Sequence, residues 1–161
     1  MGWLTHGEFG VWLQTKTESI TMTNDRSTEL GLFSLRLTIF ILMIVWAGLK
    51  IIAPGSYAGA GDNPGIFQGF YGVSVGAQIV LILGIAQVIF LLAYLAGLFK
   101  TITVGGVMLM NLASMVVSAP KFLAPFADKP NLLFLTSVTV FGASLAHFLM
   151  RKNDTFLSLG K

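Results

Sequence analysis

From Asn63 to Phe99 the chain carries no Asp, Glu, Lys, Arg or His. A helix needs about 20 mainly apolar residues to cross the roughly 30 Å hydrocarbon core of a bilayer. An uncharged run of this length is hard to place in a water-soluble fold, and the rest of the sequence agrees. Only 11% of the 161 residues are charged, against about 25% in ordinary soluble domains. So little charge cannot cover a free globule. Disorder is excluded as well, because it needs low hydrophobicity and high charge. The net charge of +3 comes from basic residues scattered along an apolar chain, not from a phosphate-binding stripe, so no nucleic-acid partner is expected. The absence of Cys excludes disulfides, thiolate zinc sites and Cys-ligated iron–sulfur clusters.

Four apolar segments predict an all-α fold, a four-transmembrane-helix bundle. They run from Leu32 to Ile52, Val73 to Leu98, Ile102 to Ala119 and Leu132 to Met150. Pro120 is expected to stop the third, and Arg151-Lys152 the fourth. The long unbroken runs lack the alternation of barrel strands. Phe99, Lys100 and Thr101 form a tight connection between the second and third segments. Residues 53–72 form a longer, Gly-rich connection, readable as a lid, a partner surface or a flexible connector.

The organisation expected is an N-terminal arm over 1–29, a membrane domain over 30–152 and a C-terminal tail over 153–161. The arm carries Trp3, Leu4, Phe9, Trp12 and Leu13 and is not a secretory signal peptide. Its alternatives are a helix lying in the membrane interface and a segment that docks on a partner. With four crossings, seven of the Lys and Arg residues share a side with both termini: Lys16, Arg26, Arg36, Lys100, Arg151, Lys152 and Lys161. Lys50, Lys121 and Lys129 fall opposite. The positive-inside rule then puts both termini in the cytoplasm, as in a multi-pass protein of a bacterial inner membrane.

Polar groups inside the segments are the candidates for chemistry, because lipid makes them expensive. Gln78, Gln87, Asn111, Ser114, Thr136 and His147 make up this set. Gln87 suits either a hydrogen bond to a quinone-like carbonyl or an interhelical one. Asn111 and Ser114 read as bundle glue. His147 suits a haem, a proton relay or a partner contact. Arg36 and Lys50 bracket the first segment as snorkelling anchors, with Trp46 in an interfacial belt. Small-residue pairs, Ala93 with Gly97 and Gly142 with Ala146, permit close helix contact. No catalytic residue and no metal site is predicted.

The first segment reads Arg36-Leu37-Thr38 and then Trp46-Ala47-Gly48-Leu49-Lys50. The second reads Gly84-Ile85-Ala86-Gln87 and, ten residues after Gln87, Gly97-Leu98-Phe99-Lys100. This resembles the DoxX-like membrane proteins. Their first helix typically starts with Arg and ends in a Trp-x-Gly-x-x-Lys-like pattern, and their second carries Gly-x-x-Glu before Gly-Leu-x-x-Arg. Gln87 stands where that family commonly has Glu, which removes the acid from any acid–base role there. The resemblance spans Leu32 to Lys152. It implies a four-helix bundle with both termini on one side and links to thiosulfate–quinone oxidoreduction, oxidative-stress accessory proteins and membrane assembly.

The function expected is a non-catalytic accessory subunit of a larger membrane complex, redox-linked in a respiratory or photosynthetic setting. Its partners would be other integral membrane subunits and lipid, with no intrinsic cofactor. The alternatives are a quinone-binding subunit, with Gln87, Arg36, Trp46, Lys50 and His147 as contacts and quinone or lipid in interhelical grooves, and a small oligomeric transporter or assembly factor.

Overall fold

The computed structural model describes residues 6–59, 64–123 and 132–160. Trp3 and Leu4 of the expected arm, Gly61 of the Gly-rich connection and most of the third connection lie outside them. Among the described residues all regular secondary structure is helical, with no sheet. Helix α1 spans His6–Ile52, α2 Pro54–Ala58, α3 Gly65–Tyr71, α4 Ala77–Leu95, α5 Lys100–Phe122 and α6 Thr136–Met150. A 3-10 turn, Leu132–Leu135, leads into α6, and a second, Arg151–Asn153, leaves it.

Three helices are long and apolar enough to cross a membrane: Asp25–Ile52 within α1, α4 and α5. In each, fewer than three residues in ten are buried by the chain itself. Their outer faces carry exposed Ile41, Val45, Ile82, Ile89, Leu109 and Val116. Exposed apolar surface on this scale needs lipid or protein to cover it. The chain is thus built as a multi-pass integral membrane protein.

Helix α1 packs chiefly on α4, and α5 on α6; contacts of α1 with α6 and of α4 with α5 complete a four-helix arrangement. The core joins Ile39, Met43 and Ala47 of α1 to Leu91 and Tyr94 of α4 and to Val104 and Val107 of α5. The α1 residues recur at four-residue spacing, which keeps them on one helical face. Gly84 brings α1 and α4 together: a Cβ there would lie 2.9 Å from Lys50 Cβ and 3.3 Å from the Ala47 carbonyl oxygen.

Several expected boundaries move. Helix α1 continues unbroken through residues 29 and 30, so no turn separates the arm from the first span. In the arm, Thr15 Oγ1 donates back to the Val11 carbonyl and Lys16 lies over the Trp12 ring. Pro120 does not stop α5. The helix runs on to Phe122, and the Leu123 amide closes its last turn on the Ala119 carbonyl at 2.9 Å. Proline lacks one donor, but it leaves the carbonyl acceptors of its own turn available. The Gly-rich connection holds α2 and α3, packed together through Tyr57 and Phe67.

Between α4 and α5 the chain turns at Gly97 in the left-handed conformation, with the Leu98 amide on the Ala93 carbonyl at 3.0 Å and the Gly97 amide on the Tyr94 carbonyl. This is the paired bonding of a glycine-terminated helix.

Candidate functional site

Arg36 lies on the buried face of α1, in register with Leu32, Ile39, Met43 and Ala47. Its side chain is 0% exposed. It therefore does not snorkel, which corrects the anchoring role read from the sequence. The reason is the chain that follows α6. Asp154, 1% exposed, turns inward there, and Arg36 Nη1 donates to its Oδ2 at 3.2 Å. Arg36 Nη2 donates to the carbonyls of Phe156 at 2.8 Å and Leu157 at 3.1 Å. A buried guanidinium is tolerable only with such pairing and hydrogen bonding.

His147 joins the same cluster. Its Nε2 lies 2.9 Å from Asp154 Oδ2 and its Nδ1 2.9 Å from the Tyr94 hydroxyl. An ionised carboxylate only accepts, so Nε2 carries the hydrogen toward Asp154. With the ring neutral, Nδ1 accepts and the Tyr94 hydroxyl donates. The four side chains thus form one hydrogen-bonded cluster, Tyr94 to His147 to Asp154, with Arg36 closing it. Arg36 Nε and Asp154 Oδ1 are buried and have no hydrogen-bond partner. Tyr94 and His147 are both fully buried, so the cluster does not open onto a cleft.

The remaining sequence candidates fall elsewhere. Lys50 stands fourteen residues after Arg36, about 21 Å along α1. Its Nζ donates to Gln87 Oε1 at 2.7 Å and lies 5.2 Å from the centre of the Tyr57 ring. Gln87 is therefore engaged between helices. The Trp46 side chain is half exposed, and its carbonyl receives the Tyr57 hydroxyl at 3.3 Å. The five candidates divide into Arg36 with His147 at one end and Lys50, Gln87 and Trp46 toward the other. Asn111 Nδ2 donates to Ser144 Oγ at 2.7 Å, joining α5 to α6, while Ser114 is exposed.

Sequence reasoning missed Tyr94 and Asp154. The usable signal was Arg36 itself. A cation in register with an apolar stripe demands an anion, and Asp154 directly follows the fourth apolar segment. An apolar groove of about 430 Å³ also opens between α4 and α5, lined by Ala86, Ile89, Phe90, Ala93, Phe99, Ile102 and Thr103.

Compared with known protein families, curated proteins and solved structures, the chain matches none.

Proposed function

We propose that the chain is a non-catalytic accessory subunit of a larger, redox-linked membrane complex. In this reading it crosses a bacterial inner membrane four times, in the DoxX-like manner, with both termini in the cytoplasm. One observation carries it: polar side chains at the helix seams pair with one another, and apolar faces turn outward. Lys50 meets Gln87, Asn111 meets Ser144, and Arg36, Asp154, His147 and Tyr94 form a closed cluster. Groups held this way fix helix register and are poorly placed to bind substrate or pass ions. The outward faces suit packing against lipid and other subunits.

Extraction from native membranes in a mild detergent, followed by mass spectrometry of co-migrating proteins, tests this. Stoichiometric recovery with redox subunits is expected. Recovery only as a free monomer or homo-oligomer overturns it.

The apolar α4–α5 groove favours a second reading, a quinone or lipid tail held against Ala86 and Ala93. Ala93→Phe would fill the groove and should weaken quinone binding by the holo-complex. Unchanged quinone affinity removes this alternative.

A further inference from the structure

Within the C-terminal tail expected over 153–161, residues 154–160 form a strap drawn across the end of the bundle. Asp154 and the carbonyls of Phe156 and Leu157 are held by Arg36. The Leu159 amide donates to the Ala96 carbonyl at 2.9 Å, and Ser158 Oγ donates to the Gly97 carbonyl at 3.2 Å. The Phe156 ring packs edge-on against Phe33. The fit is close. A Cβ on Gly97 would lie 2.4 Å from Ser158 Oγ, and one on Gly160 would lie 2.6 Å from the Gly97 carbonyl oxygen.

The outer face of this strap is apolar. Leu157 is 67% exposed, Leu159 77%, and Phe99 in the adjoining α4–α5 turn 74%. Among the described residues, Phe99 and Leu157 are also the non-glycine residues with positive φ, at 46° and 47°. Both thus hold an unfavourable backbone conformation while presenting a large apolar side chain outward.

We infer that the strap and the α4–α5 turn are seated in the bilayer interface, with Phe99, Leu157 and Leu159 entering among lipids that carry anionic headgroups. Three observations converge. The turn is continuous with α4 and α5, two of the candidate spans. Irregular chain enters a water-poor region only when its backbone polar groups are bonded internally; Arg36 bonds the strap carbonyls of Phe156 and Leu157, and the Ala96 carbonyl takes the Leu159 amide. The charge also fits. Lys100, Arg151 and Lys152 flank the strap and turn in sequence, and basic residues beside an apolar face attract anionic lipid. The strap's acid, Asp154, is turned inward onto Arg36 and His147. Glu29 receives the Thr155 hydroxyl, and Asp25 lies one turn farther out on α1 beside Arg26.

The seating rests on the membrane reading above, and the test separates the two. The chain has no Cys, so single cysteines can carry a nitroxide label. Leu157→Cys, Leu159→Cys and Asn153→Cys are compared with Ile89→Cys, on the exposed face of α4, in vesicles of mixed phosphatidylglycerol and phosphatidylethanolamine. Labels at 157 and 159 are expected to collide preferentially with oxygen, and the label at 153 with a water-soluble nickel chelate. In purely zwitterionic vesicles the 157 and 159 labels should shift toward the nickel chelate. Labels at 157 and 159 as open to nickel as that at 153, with the 89 label deep, overturn the seating alone. An aqueous 89 label overturns the membrane reading itself. Unchanged depth in zwitterionic vesicles overturns the anionic preference.

Discussion

Arg36 shows how one residue can tie a tail to a bundle. Removing one partner of a buried ion pair leaves the other charged and unpaired, a loss of about 3–5 kcal/mol. Arg36→Ala should therefore lower unfolding stability in detergent by an amount in that range. The double replacement Arg36→Met with Asp154→Leu removes both charges and should recover most of the loss, because apolar replacements of buried pairs are often neutral. A double variant no more stable than Arg36→Ala would mean that the main-chain bonds to Phe156 and Leu157 matter more than the ion pair. Half of this cluster was legible in the sequence. His147 stood out as a polar group within an apolar segment, and Arg36 as a cation bracketing one. Tyr94 did not, because a tyrosine near a helix end looks like any interfacial aromatic. Asp154 did not, because only the return of the chain across the bundle brings it to Arg36, and no local pattern encodes that return.

At the scale of elements, two glycines of similar appearance have opposite roles. Gly84 faces α1, and a Cβ there would meet Lys50 Cβ at 2.9 Å and Ile51 Cγ1 at 3.0 Å. Gly142 on α6 has nothing within 4 Å. Gly84→Ala should overpack the α1–α4 seam and cost about 1–3 kcal/mol. Gly142→Ala should be neutral or stabilising by up to about 1 kcal/mol, because alanine loses less backbone entropy in a helix. Unfolding of the two variants side by side checks this; equal effects would refute the seam. The small-residue spacing was visible in the sequence, but which glycines face a neighbour depends on helix rotation. The cap formed by α2 and α3 carries its own signal. Burial, and to a smaller extent Tyr71, push the Tyr57 phenol up to about 12 from an ordinary 10.0. The unfolded chain ionises first, so the stability tied to the neutral phenol is complete below pH 10 and declines as pH rises toward 12. Tyr57→Phe should remove that part of the alkaline decline, and its phenolate absorbance should lack the late step. A decline identical to that of the parent chain would rule out Tyr57 as its source.

For the whole molecule, the number of crossings depends on α6. The apolar segments of the sequence located α4 and α5 to within a few residues, and the continuous helix through α1 was the departure. Alone, α6 has 15 residues, about 22 Å, which is short for a bilayer core of about 30 Å. The 3-10 turn Leu132–Leu135 adds four residues at about 2.0 Å each, and the two together reach about 30 Å. Its residues are all apolar, and Ser137 and Ser144 donate their hydroxyls to carbonyls one turn back, at Phe134 and Val140, so the segment shows little unmet polarity to lipid. The proposed fourth crossing would put Thr15 and Asn153 on one side and Ser56 on the other. Single cysteines at these exposed positions, probed with a membrane-impermeant maleimide on sealed cells and on inverted vesicles, read this directly. Thr15→Cys and Asn153→Cys should react only in inverted vesicles, and Ser56→Cys only in sealed cells. If Asn153→Cys instead reacts from the same side as Ser56→Cys, α6 does not cross. That outcome would also place Arg36 and Asp154 at opposite faces of the membrane, and would overturn the 3.2 Å ion pair between them along with the crossing.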